Sequence, residues 1–420
     1  MEQQRILVVG SGGREHAIAR KLLESPRVSS VYCAPGNPGM RPSGINTVDI
    51  AEDDFAGLKK FALEKNIAWT FVGPENVLVD GLVDYFAESG LKAFGPNRQA
   101  AKLEGSKTFA KEFMAKYHIP TAAYVQYESA STAISGLAGF SLPVVIKADG
   151  LAGGKGVTIA KTFEQGQAAI THVFDSGQYS VLLEENLVGE EYSIFVLVSG
   201  TEYVILPTAQ DHKRAFDGNR GPNTGGMGAF SINEQLSPEA SAEVKQKIVV
   251  PTVAGLTKEG FDYHGVVYIG IIETEDGPKV IEYNVRFGDP ETQVILPRIK
   301  DDFAQLINDG LNGKHLPEVQ ISSHAVLGVV VASQGYPAAP KTGHLLPKLP
   351  QQDGIMVDFA NVAQKEGRLF GAGGRLLTVI GLGQNLNDAR RLVYDYLQKQ
   401  HFSDCFYRTD IAVKHSNVSH

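Results

Sequence analysis

Short apolar runs alternate with amphipathic stretches through the first hundred residues. Residues 5–9 (RILVV), 31–34 (VYCA), 69–72 (WTFV) and 92–94 (KAF) read as strands, and 16–23 and 56–65 carry helical spacing. Strands alternating with helices predict a parallel α/β sheet. Ligands bind such sheets at the carboxyl ends of the strands. Here those ends read GSGGREH, APGNPG, VGPE and FGPN.

The pattern changes near Ser106. A helix over 106–117 precedes LPVVIKADG and VTIAK, two strands of a hairpin around a glycine loop. A helix over 163–174 and the strands VLLEENL and EEYSIFVLV follow. The stretch DHKRAFDGNRGPNTGGMGAF reads as a long loop, and a loop of that length inside a compact domain is usually functional. Strands over 265–273 and 279–284 come next, then a helix near 302–311. From HAVLGVVVAS onward the chain reads as a third module, with a strand at GRLLTVIGLG and an amphipathic helix over 386–400. The expected units are 1–105, a parallel-sheet Rossmann-like α/β domain; 106–325, with a lid at about 122–190; and 326–420, a small α/β domain.

Composition narrows the function classes. The 420 residues hold 39 Lys and Arg against 47 Asp and Glu, a net charge of −8 without a long basic run. A nucleic-acid partner, which needs clustered cations, is disfavoured. The 45 glycines gather in short loops, as in an enzyme with several backbone-lined sites. Cys33 and Cys405 have neither metal nor disulfide spacing and read as reduced thiols. MEQQRILVVG lacks a leader layout, and no apolar run reaches the about 18 residues of a membrane span, so no membrane association and a cytoplasmic location are expected. No partner surface stands out, which favours a monomer.

The opening turn resembles a dinucleotide fingerprint but fails it. Gly10 and Gly12 fit G-x-G-x-x-G, whereas Glu15 stands at the third glycine position and the next strand ends without an acid. A nicotinamide-dependent oxidoreductase is therefore a poor reading. The turn, Gly10, Gly12 and Gly13, still leads into a helix N-terminus, which favours an anion such as phosphate. Arg14, Glu15 and His16 are expected in the first helical turn beside it, unless they are solvent charges and a packed ring. Asn37 in APGN and Gly73, Pro74 and Glu75 in VGPE end neighbouring strands. Together these loops outline a small phosphorylated ligand.

Lys147 ends a strand, and Lys155 lies in the loop GLAGGKG with Gly153, Gly154 and Gly156. Such a loop can fold its N–H groups over phosphates as a lid. It is not a Walker A motif, because Gly156 follows Lys155. Lys107 in LEGSK is a second phosphate or nucleobase contact. In LLEENLVGEE, Glu184 and the backbone from Glu185 to Leu187 can meet an adenine edge, and Glu190 or Glu191 can accept from ribose hydroxyls. Glu282 and Asn284 lie two apart on one strand and face the same way. A carboxylate and an amide oxygen suit hard Mg²⁺. Arg286 extends that face, where a guanidinium can clamp a carboxylate or a transferring phosphoryl group.

GSGGREHA, APGN, VGPE, FGP, LEGSK, VIKADGLAGGKGV, AQDHKRAFD, GPNTGGMGA and VIEYNVRFGDPETQ occur in this order. Together they resemble the glycinamide ribonucleotide synthetase (phosphoribosylamine–glycine ligase) family of the ATP-grasp superfamily, from residue 6 to about 411. The resemblance implies an α+β ATP-grasp fold and a ligase that joins glycine to 5-phosphoribosylamine, with ATP and Mg²⁺ or Mn²⁺, through glycyl phosphate. It implies that Asp211 meets the glycine ammonium, and that Lys213, Asn223, Thr224, Gly225, Gly226 and Asp289 close the substrate side. Arg286, Lys155 and Asp211 become the catalytic candidates, and Glu191 the ribose contact by its G-x-E spacing. Many members of the superfamily carry a second metal carboxylate one strand earlier. Here that position falls near Ile272, and Glu273 is expected to face away, leaving Glu282 and Asn284. The nearest alternative is another ATP-grasp carboxylate–amine ligase.

The lid of this family usually reads GLAAGKG, whereas this chain carries Gly153. One more glycine raises the entropic cost of ordering the loop by about 1 kcal/mol. Gly153→Ala is therefore expected to lower the KM for ATP slightly, and unchanged steady-state kinetics would refute this.

Overall fold

The computed structural model describes residues 3–151 and 156–413. Its first sheet is parallel, with the strand Gln4–Gly10 between Val28–Pro35 and Trp69–Val72 and the short strands Asn46–Thr47 and Ala93–Phe94 at the edges. The central strand is apolar and buried from Ile6 to Val9 because both its faces are covered there. Leu7 and Val9 point into one core, and Ile6 and Val8 into the other.

A second sheet shares both cores. Its antiparallel strands Glu190–Ser199, His264–Thr274 and Gly277–Asn284 follow one another, with Glu202–Ile205 on the outer side of the first. Ile194, Val196 and Val198 enter the core of Leu7, while Phe195 and Leu197 enter that of Ile6. The first two sheets are thus one packed body.

The region about 122–190 is built differently. Its antiparallel sheet runs Tyr124–Tyr127, Val181–Glu185, Val144–Ala148, Val157–Ala160. The helices Ala130–Gly136 and Phe163–Asp175 pack on it over a core of its own, including Leu137, Ile146, Ile170 and Leu183. A helix, Lys107–Lys116, capped by the Ser106 hydroxyl, leads into this unit.

The last sheet draws strands from two of the expected units. The strands Ala325–Ser333, Arg375–Gly383 and Ile355–Phe359 are joined by Gly228–Ser231 and Gln210–Asp211, which the sequence assigned to the central unit. The expected long loop is therefore partly ordered strand. It also holds a hairpin, Arg214–Phe216 with Arg220–Asn223, whose turn places Gly218 and Asn219 at φ 72° and 55°. Runs of two to four residues are too short to show a period-two pattern.

The helix Gly13–Leu23 is buried nearly all round, between the first sheet and the last. Arg20 holds Asp358 by two hydrogen bonds, Nε to Oδ1 at 3.2 Å and Nη2 to Oδ2 at 3.1 Å, and Asp358 is fully buried. Among the described residues no helix is long and apolar enough to cross a membrane. Arg20→Met would strand the Asp358 carboxylate, and a loss of about 3 kcal/mol is expected, read as a lower urea midpoint for unfolding.

Candidate active site

Register brings the predicted loops together. Gly10 pairs with Pro35, and Val9 with Val72, so the turns after the three strands meet at one sheet edge. Gly10 takes φ 121°, and a Cβ there would fall 2.6 Å from Glu15 Cγ. A Cβ on Gly73 would also collide with the Glu15 carboxylate. Glycine at both turns is thus what lets Glu15 fold back between them. Its Oε2 accepts from Gly12 N–H at 2.7 Å, and its Oε1 from Arg14 Nε at 2.6 Å.

The side chains of Glu15, His16 and Asn37 all have partners within the protein. Glu15 itself satisfies the Gly12 amide. His16 is fully buried and accepts at Nδ1 from Phe359 N–H at 2.8 Å, so Nε2–H donates to Ser43 Oγ at 3.1 Å. Burial pushes its pKa down, and the ring stays neutral. The Asn37 amide donates to Ser11 O and Phe359 O at 2.8 and 3.0 Å, and its oxygen accepts from Gly39 N–H. All three side chains fix the loop cradle. Nothing in the residue pattern revealed this, because each depends on Phe359 or on another loop.

Arg286 ends the strand face predicted for the metal. Nε donates to Glu75 Oε2 at 3.2 Å, and Nη2 lies 2.7 Å from Glu104 Oε1 and 3.2 Å from Asn284 Oδ1. The other Glu104 oxygen accepts from Val285 N–H at 2.8 Å. Arg14 joins through Phe287 O at 3.0 Å and Glu75 at 3.8 Å. Burial works against the Arg286 charge, but Glu104 and Glu75 outweigh it and raise its pKa. Glu104 went unread in the sequence although it lies in the quoted LEGSK. Its partner is distant in sequence.

On the lid side, Lys147 Nζ lies 2.9 Å from Glu184 Oε2 and donates to Ile281 O at 3.1 Å. Lys111, one turn after Lys107, reaches the same Glu184 oxygen at 3.0 Å. Burial pushes the Lys111 pKa down to about 8, against the pull of Glu184. Glu184 Oε1 is buried without a hydrogen-bond partner. Lys107 Nζ donates to Gly150 O at 2.8 Å, and Asp149 accepts from Lys107 N–H at 2.6 Å, tying the glycine loop to the helix start. Lys111 and Asp149 were both missed. A spacing of four on the Lys107 helix was the available signal for Lys111. Gly156 O accepts from Ala148 N–H, whereas Gly153, Gly154 and Lys155 lie outside the described residues. Glu185 ends its strand with its carboxylate 3.6 Å from Lys279, and Leu187 follows in the link to Glu190.

Glu282 and Asn284 lie half-buried on one face of their strand, while Tyr283 is buried on the other. Gly270 and Tyr268 stand opposite them, so the neighbouring strand offers no carboxylate there. Burial raises the Glu282 pKa, but Lys213, Lys147, Lys107 and Arg286 overcome this and lower it. Among the described residues no three His, Cys, Asp or Glu side chains form a metal cage. Two protein oxygens nonetheless fit a hard cation that completes its shell with phosphate oxygens and water.

Glu191 turns toward the same space, 3.3 Å from Lys213, while Glu190 is occupied by the Tyr192 hydroxyl at 3.0 Å. Asp211 is pushed up to about 7 by burial and by Glu291, Glu191 and Glu282, against the pull of Lys213. Thr224 ties its loop back through two bonds to Lys213 O, both 2.8 Å, and Asn223 pairs with Arg214. Gly226 takes φ 111° against Pro290. Asp289 accepts from Gln293 at 2.8 Å and lies 3.4 Å from Arg375, a residue the sequence reading did not single out.

A lid over a second antiparallel sheet, with lysines on the lid side and a carboxylate–amide strand beneath, defines an ATP-grasp enzyme. Biotin carboxylase from Campylobacter jejuni shares the fold, with a TM-score of 0.76 at 14% identity over 99% of this chain and 96% of that one. The chain belongs to the phosphoribosylglycinamide synthetase family. That family's N, ATP-grasp (A) and C domains match residues 4–104, 105–292 and 326–414. It is 49% identical to the phosphoribosylamine–glycine ligase of Lactococcus lactis over 97% of this chain and 99% of that protein. For the Streptococcus suis enzyme the figures are 48%, 98% and 99%. The crystal structure of the Thermotoga maritima ligase superposes with a TM-score of 0.85 at 35% identity, covering 97% of this chain and all (100%) of that one. The chain is an ADP-forming ligase of the ATP-grasp class that uses ATP with a divalent metal.

Glu75 gives a pH test. Burial raises its pKa, but Arg286 and Arg14 outweigh this and lower it from 4.5 to about 2. A depressed carboxylate stabilises the fold above its unfolded value, and that contribution is lost as pH falls through the folded one. Glu75→Gln is expected to flatten the decline in stability between pH about 4.5 and about 2, measured as urea midpoints against pH.

Proposed function

We propose that the convergence at the end of one strand carries the chemistry. There Glu282, Asn284 and Arg286 lie between the lysines of the lid side and the Asp211–Lys213 pair. The reaction is the ligation of glycine to 5-phosphoribosylamine at the expense of ATP, the second step of purine biosynthesis. A glycine carboxylate oxygen attacks the γ-phosphorus, the bond to the bridging oxygen breaks, and ADP leaves. The ribosylamine nitrogen then attacks the carbonyl carbon of glycyl phosphate. The C–O bond to phosphate breaks, and the nitrogen sheds a proton.

In this division Lys107, Lys147 and the glycine loop with Lys155 hold the triphosphate, closing before chemistry so that the acyl phosphate is kept from water. Glu184 and the backbone from Glu185 to Leu187 hold adenine, and Glu191 the ribose. The orphaned Glu184 Oε1 supports the assignment, since a buried acceptor calls for a donor. Glu282 and Asn284 hold Mg²⁺, or Mn²⁺ in its place, which when bound neutralises phosphate charge. Arg286, fixed by two carboxylates, presents a pre-oriented charge to the acyl phosphate. Asp211 receives the glycine ammonium, and Lys213 with 223–226 and Asp289 closes the substrate side. The first backbone N–H groups of the helix Gly13–Leu23 and the turns at Asn37 and Gly73 receive the sugar phosphate. All these groups come from one chain, which we take to act as a cytoplasmic monomer.

With glycine labelled by ¹⁸O in its carboxylate, one label is expected in inorganic phosphate, and ADP release is expected to require both glycine and ribosylamine. Unlabelled phosphate would overturn the acyl phosphate route. Release without glycine would leave an ATP-grasp ligase of another acid. Glu282→Ala and Arg286→Lys are expected to lower kcat by about 10²-fold or more.

A further inference from the structure

The loop at 223–226 carries two adjacent glycines, and the Thr224 hydroxyl before them accepts from Gly226 N–H at 3.0 Å. Two residues of the C-terminal unit also hold its backbone. Gly225 N–H donates to the Tyr336 hydroxyl at 3.0 Å, and Arg375 Nη1 donates to Gly225 O at 2.7 Å and to Gly226 O at 3.4 Å. The same Nη1 donates to Asp289 O at 2.5 Å, and Nη2 lies 3.4 Å from Asp289 Oδ2. Arg375 thus gathers three carbonyl oxygens and a carboxylate from two separate turns.

Such a cluster of acceptors is repulsive without a cation among them, and a guanidinium supplies several donors in a fixed plane. The two turns it joins are the ones assigned to the substrate side. Asp289 lies against the opening glycine turn, since a Cβ on Gly13 would fall 3.7 Å from its Oδ1. Arg375 opens the strand Arg375–Gly383, whose apolar middle is fixed in the C-terminal core. Its anchorage is therefore independent of the lid and of the nucleotide side.

We propose that Arg375 is a positioning residue for the ribosylamine half of the reaction. It sets the spacing between the 223–226 loop and the Asp289 turn, so the C-terminal unit shapes the acceptor site without supplying a reacting group. This rests on the ligase reading above.

The test compares the full-length wild type with Arg375→Met, Arg375→Lys and Tyr336→Phe by ADP release and by thermal unfolding. Arg375→Met is expected to raise the KM for ribosylamine about ten-fold or more, with the KM for ATP within about two-fold of wild type. Arg375→Lys, with a single ammonium for several acceptors, is expected to restore part of the loss. Tyr336→Phe is expected to shift the same KM in the same direction by less. If Arg375→Met does not fold, the Lys and Phe variants decide the matter by the same split. An unchanged ribosylamine KM in the folded variants, or an equal rise in both KM values, would overturn the proposal. Wild type that releases ADP without glycine would overturn the reading beneath it, before any variant is compared.

Discussion

Everything at the site depends on how Arg286 is held. A buried guanidinium is costly unless it is paired and hydrogen-bonded. This one draws its partners from three places: Glu75 after a strand of the first sheet, Glu104 before the capped helix, and Asn284 two residues back. Arg14 adds a link from the opening turn to the next residue's carbonyl. The network fixes the orientation of the charge. It also joins the edge of the parallel sheet to the end of the antiparallel one.

Packing divides the molecule into a two-sheet body and a lid with a core of its own. The first two sheets share two cores, so their relative position is set by interdigitated side chains. The lid has its own small core and meets the body through polar ties such as Asp149 with Lys107 and Lys147 with Ile281. Polar ties of this kind can exchange for contacts with a charged ligand at little net cost. A body with its own core can then turn as a unit, which is what closure over a nucleotide requires.

The C-terminal unit is bound into both halves. His16 and Arg20 of the first helix grip Phe359 and Asp358, and two strands from the 210–231 region enter its sheet. The substrate-side loop is therefore framed by a segment more than a hundred residues further along the chain. Biotin carboxylases share this fold at 14–16% identity, so the architecture alone does not select the substrate.

Local chemistry made part of this legible in advance. A short apolar run rich in β-branched residues and followed by glycines reads as a strand entering a tight turn, so the first sheet and its loop ends followed from residues 6–16 and their neighbours. Period-two spacing alone put Glu282, Asn284 and Arg286 on one face, and the order of the motifs pointed to the family. Tertiary structure decided which charges are free and which are spent. Glu15 and His16 look alike in sequence as polar residues beside a glycine turn, yet one fills the turn and the other is buried against Phe359. Glu104, Lys111 and Arg375 acquire their parts only through partners far along the chain. The sequence determined the elements and their faces, because those depend on residues a few positions apart. The pairing of buried charges was decided by the fold, because desolvation is set by everything packed around a group, wherever it lies in the chain.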